Sequence, residues 1–249
     1  MAFQSQFTKL SPFFVARRER ARRPFRMQPS PQFLAPEPLA RLLLQWGVPP
    51  VPLAPVAERL SGGLGWADAI GLSQVLAAPL VAADGSSPRR EVQGWAAAAL
   101  DRVQGDLLNA FDDALLARDA AEPSPDGVPL ADLLAPFRLH HAQQQRNMAA
   151  RVASLRERLR PRLAEISGAL ARLAQLDALF ERALAAQERE RLAALPALLT
   201  RRAETHHAAD PRRWRHRLLA DLQRLLRAEL DLRLQPVLGL LDALHDPMP

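Results

Sequence analysis

A chain of 249 residues is long enough to bury a sizeable core, and the lack of cysteine excludes disulfides, thiolate metal sites and a cysteine nucleophile. Apolar residues make up 48% but aromatics only 5%, with no tyrosine; Leu and Ala dominate and no segment alternates, which argues against a β-protein and predicts an all-α one. The net charge of +6 sits at one end: residues 1–36 carry seven basic side chains against Glu19, so residues 37–249 are balanced and the high isoelectric point is a poor guide to the body.

Residues 1–36 form the first predicted unit. Pro12, Pro24, Pro29, Pro31 and Pro36 break any helix, and no apolar period survives, which predicts a disordered tail. Arg17, Arg18, Arg20, Arg22 and Arg23 are candidate anion-binding residues for phosphates or anionic lipid; a solvated charge run is the simpler reading. Met27 is an alternative start that would remove all seven basic residues. No apolar run reaches the roughly 18–20 residues of a membrane span. The apolar cluster Phe13–Ala16 is too short for a secretory core, so the expected location is cytoplasmic.

Residues 37–249 are expected to be one helical domain, opening with short helices and linkers over 37–88. Pro38–Trp46 reads as a short buried helix with proline in its first turn. Pro49, Pro50, Pro52 and Pro55 force an extended linker, and Val56–Leu60 make a helical turn or two. In the next helix Trp66, Ile70, Ser73 and Ala77 share a face. Gly62-Gly63 lacks the Gly-Lys-Ser/Thr ending of a phosphate loop. Residues 79–88 are a loop.

Residues 89–249 are expected to form an elongated antiparallel bundle of long, proline-kinked helices. Arg89–Arg118 reads as one helix with an apolar stripe from Val92 to Leu115. Asp106, Asp112 and Asp113 lie near one another on it; with no evident histidine opposite, they read as a solvated face. After a loop over 122–129, an apolar seam with three- and four-residue steps runs from Met148 through Leu163 and Leu170 to Leu184, as a long hairpin or coiled coil requires. Pro161 and Pro196 are expected to kink or break it. Arg151, Arg156, Arg158, Arg160 and Arg162 make the densest basic patch of the body, without an aromatic platform for bases.

Histidines occur as adjacent pairs, His140-His141 and His206-His207, without the i, i+4 spacing of a helical metal site; the pairs could meet if their helices pack antiparallel, but ordinary surface histidines are the stronger reading. Thr205–Pro211 is read as a loop leading into the last helix, Pro211–Leu244, with Asp210 as its N-cap. Leu219, Leu222, Leu226, Leu230, Leu234, Val237, Leu241 and Leu244 share its apolar face, and Pro236 is expected to bend or restart it. No cofactor or metal site is expected, and no catalytic residue.

The stretches Leu64–Ser73, Glu188–Leu199 and Glu229–Leu244 together resemble the bacterial family known as domain of unknown function 3348, over roughly residues 37–246. The family has no assigned activity, so no catalytic residue carries over. The resemblance implies a cytoplasmic accessory to an envelope complex, beside proteins similar to stator-type proton channels of the flagellar-motor and TolQ kind and to outer-membrane-protein-A-like partners. The expectation is a non-enzymatic helical adaptor or assembly protein with a protein partner or a second copy of itself. The alternative is nucleic-acid or anionic-membrane binding through the arginine-rich tail. Candidate partner-docking residues are Trp66 and Asp68 in the first matching stretch, and Glu229, Asp231, Arg233, Gln235 and Pro236 as a polar edge at a proline bend in the last.

Overall fold

The apolar residues of the C-terminal stretch recur at helical spacing on one face, which calls for a covering layer of other helices. The computed structural model supplies that cover and buries the helix on further sides as well. It describes residues 38–49, 64–80, 89–122 and 127–245, and all of these fall within the unit Glu37–Pro249. The tail 1–36 with its five candidate arginines, the linker 50–63 and most of the loop 79–88 lie outside the described residues.

Eight helices are present among the described residues, with no strand. They are α1 (Pro38–Gln45), α2 (Trp66–Ala77), α3 (Arg89–Ala110), α4 (Ala114–Ala121), α5 (Leu130–Ile166), α6 (Gly168–Leu192), α7 (Leu195–Ala209) and α8 (Trp214–His245). Helix α8 packs against α1, α3, α4, α5, α6 and α7. Its residues Trp214, Leu218, Leu222, Leu225, Leu226 and Leu244 are completely buried. With Asp221 and Ala228 buried on one side of these and Leu230 and Leu234 on the other, the covered arc takes in roughly two thirds of the helix's circumference, which is how a single helix can serve six neighbours.

Directions follow from the cross-contacts. Trp95 lies under the Arg162 guanidinium, Asp106 pairs with Arg151 and Asp113 with His140, so α3 and α5 run antiparallel. Ser167 alone joins α5 to α6, and Arg156, eleven residues before it, meets Asp177, ten residues after it, which makes the two helices an antiparallel hairpin. Gly71 against Leu179 and Ala78 against Arg172 give α2 the same relation to α6. Helix α1 stops in a left-handed turn at Gly47 (φ 78°), where Val48 N–H reaches Leu43 C=O and Gly47 N–H reaches Leu44 C=O.

Several expected boundaries move. The Arg89–Arg118 helix breaks at Phe111–Asp113, because Asp113 Oδ1 accepts the Leu115 and Leu116 N–H groups and starts α4. The long seam is divided at Ser167, not at Pro161. Ser167 is extended and its Oγ accepts Leu170 N–H at 3.2 Å, so one residue turns the chain, while Pro161 sits inside α5. Pro196 lies in the first turn of α7, after the break at Ala193–Ala194, where a proline costs little. Thr205–Ala209 are helical, the end of α7, and not a loop. Asp210 caps as expected, its Oδ1 accepting Arg212 and Arg213 N–H, but the regular helix begins at Trp214. Helix α8 runs through Pro236 without restarting.

Candidate functional site

The C-terminal half of α6 carries Leu184, Ala185 and Leu192 on the side toward α8, with Glu181 and Glu188 flanking them at helical spacing. Small residues on α5, Ala149 and Ala153, line the facing wall and leave the space beside them unfilled. The result is a cavity of about 780 Å³ between α5, α6 and α8, floored by Val152, Leu184, Leu192 and Leu232 and bounded by Pro236. Five arginines line it (Arg156, Arg182, Arg189, Arg191 and Arg233), against Glu181 and Glu188.

Both acids are taken. Glu181 pairs with Arg156 at 3.2 Å and with Arg160, while Asp177 takes Arg156 at 2.7 Å and Arg160 at 2.8 Å. Burial lowers the Arg160 pKa, but the hydrogen bonds and charges of Glu181 and Asp177 more than offset this and raise it, so the guanidinium stays charged. Glu188 Oε1 accepts from Arg233 Nη1 at 2.5 Å across the mouth of the groove. Arg233 Nε is buried with no acceptor. Among the described residues no ion pair or hydrogen bond joins a side chain to Arg182, Arg189 or Arg191, all three of which are exposed.

The candidates read from the C-terminal stretch do not form one edge. Arg233 and Pro236 line the groove together with Leu232, which precedes Arg233 on the chain. Asp231 lies on the opposite side of α8, in a smaller hollow with Pro38, Arg41 and Leu42 of α1, and burial raises its carboxyl pKa. Gln235 is exposed and donates to Asp231 C=O at 3.3 Å. Glu229 is wholly buried and faces α5. The correction has a simple cause: residues two apart on a helix point about 200° from each other, so an alternating polar pattern is split over several faces. Trp66 is 84% exposed, and Asp68 Oδ2 accepts the Gly65 N–H at 3.2 Å. By the antiparallel register of α2, Trp66 is level with Leu184 along α6.

The histidine pairs turn to separate partners instead of meeting. His141 Nε2 lies 2.5 Å from Glu229 Oε1, both side chains being buried, and Gln145 Nε2 donates to Glu229 Oε2 at 2.8 Å. His140 Nδ1 is 3.4 Å from Asp113 Oδ2, so Asp113 does have a histidine opposite, contrary to the sequence reading. His206 Nε2 is 2.8 Å from Asp221 Oδ2, which Arg202 also holds, and His207 stands edge-on to Trp214. No group of three metal-ligating side chains comes together among the described residues. These pairs were missed because their partners are 88, 27 and 15 positions apart in sequence, with no local signature.

The architecture is therefore that of an all-helical protein built on one central helix, with an arginine-lined apolar groove at its side. The chain belongs to the family described as protein of unknown function (DUF3348), which matches residues 27–246, ten residues further upstream than the resemblance indicated. No curated protein and no solved structure matches it. No helix among the described residues is long and apolar enough to cross a membrane.

Proposed function

We propose that this chain is a non-enzymatic helical adaptor or assembly protein that docks a partner helix in the groove between α5, α6 and α8. The observation that carries the reading is the groove itself, an apolar floor within a charged rim, which is how an amphipathic helix is received. The setting proposed is the cytoplasmic face of a bacterial envelope complex that contains stator-like proton-channel proteins. The test is a pair of substitutions on exposed alanines of α5. Ala153→Glu fills the groove wall, whereas Ala150→Glu lies outside it. Cross-linking in native cells should trap the same envelope protein on the unaltered chain and on the Ala150→Glu variant, and lose it with Ala153→Glu. Equal trapping by all three would refute the reading.

A competing reading places binding of nucleic acid or anionic membrane in Arg17–Arg23, supported by the seven basic residues upstream of Met27. A chain starting at Met27 separates the two. Salt-sensitive binding to DNA or anionic vesicles that survives the deletion would sink the tail reading.

A further inference from the structure

The groove also specifies the chemistry of what fills it. On α6 the two acids of the lining point toward α5 and α8 and are consumed there, Glu181 by Arg156 and Arg160 and Glu188 by Arg233. Arg182 and Arg189, seven residues apart, stand together on the other flank of the same face. With Arg191 they leave three guanidinium groups at the rim with no side-chain acceptor among the described residues. At the opposite wall the buried Arg233 Nε likewise lacks an acceptor. An unpaired buried donor is costly, and a carboxylate is the group that satisfies it best. The lining on α6 runs from Glu181 to Leu192, roughly 17 Å or three turns at the helical rise.

We infer, resting on the adaptor reading above, that the groove takes an acidic amphipathic helix of about three turns from a different protein. Its apolar side seats on Val152, Leu184, Leu192 and Leu232, and its carboxylates pair with Arg182 and Arg189 along one flank of α6 and with Arg191 on the other. A further carboxylate competes with Glu188 for Arg233. The pairing sets orientation and speeds encounter, since the rim charges are exposed and steer a partner of opposite sign. A helix with basic flanks would face these arginines with like charge.

The test uses the full chain and two labelled synthetic helices with one shared apolar face, flanked by glutamate in one and lysine in the other, followed by fluorescence anisotropy. The acidic helix is expected to bind, and to bind about tenfold more weakly when salt rises from about 50 to about 500 mM. Arg182→Glu with Arg189→Glu should weaken it by at least about tenfold while leaving the circular dichroism and melting curve unchanged, because both side chains are exposed. Equal binding of both helices would overturn the acidic assignment while leaving the groove reading intact. Binding of neither would overturn both. Duplex DNA displacing the acidic helix as readily as unlabelled helix would overturn the assignment in favour of a general polyanion site. A concentration-dependent dimer that Ala153→Glu disperses would make the occupant a second copy, and would overturn it too.

Discussion

His141 and Glu229 meet where α5 crosses α8, Nε2 at 2.5 Å from Oε1, with neither side chain reaching solvent. A carboxylate in that position depends on its two partners, His141 and Gln145, for all that water would otherwise supply. Removing one member leaves the other buried and uncompensated. Glu229→Ala or His141→Ala should therefore cost ~3–5 kcal/mol, whereas replacing both by apolar residues of matching volume should cost much less. Denaturant unfolding of the two single variants and the double variant measures the coupling. Additive losses would show that the pair does not act as a unit.

The hairpin between α5 and α6 turns on one residue. Ser167 is extended and its hydroxyl accepts Leu170 N–H, so it terminates one helix and starts the next. Ser167→Ala should lower stability by about 1 kcal/mol, and Ser167→Asp should restore it, because aspartate is as good an N-cap. The midpoint of urea unfolding at constant slope is the readout.

Asp231 gives a pH dependence of definite sign. Burial raises its carboxyl pKa, so the folded chain binds the proton more readily than the unfolded chain does. Its contribution is thus most favourable below the ordinary carboxylate range, is lost as pH rises through the raised value, and is constant above it. The side chain is partly exposed, which keeps the effect small. Asp231→Asn should melt slightly above the unaltered chain at neutral pH, and the two melting curves should converge on acidification. A gap that widens in acid would contradict the assigned direction.

Trp66 is the most exposed large apolar side chain among the described residues, at 84%, while Trp214 is completely buried. Trp66→Phe should leave unfolding stability within about 0.5 kcal/mol. It should also remove the fraction of tryptophan emission most easily quenched by iodide. Unchanged quenching would mean that the indole is covered.

The central role of α8 could be read from its leucine spacing alone, because burial on a helix leaves a periodic trace. The caps were legible in part. Asp210 is legible from its place before Pro211, whereas Pro161 masks Ser167, although Ser167-Gly168 has the chemistry of a cap and a proline within a long helix can be tolerated by bending. The break at Asp112-Asp113 was hidden because those acids also look like an exposed face. Of the docking candidates, Arg233 and Pro236 do line the groove, and Glu229 does not. Glu229 follows Leu226, Leu225 and Leu222 by three, four and seven residues, so its place on the buried side of α8 is legible from spacing; its meeting with His141 depends on the packing of α5. The groove itself arises from how far α6 stands from α8, a property of packing that no single stretch encodes.

The helix on which six others rest is also the last of the eight to leave the ribosome. Until it emerges, the six helices that pack on it lack that wall of the core, so the nascent chain carries open apolar seams through most of its synthesis. A chain cut anywhere before Trp214 would then be a substrate for chaperones and proteases rather than a smaller version of the same protein.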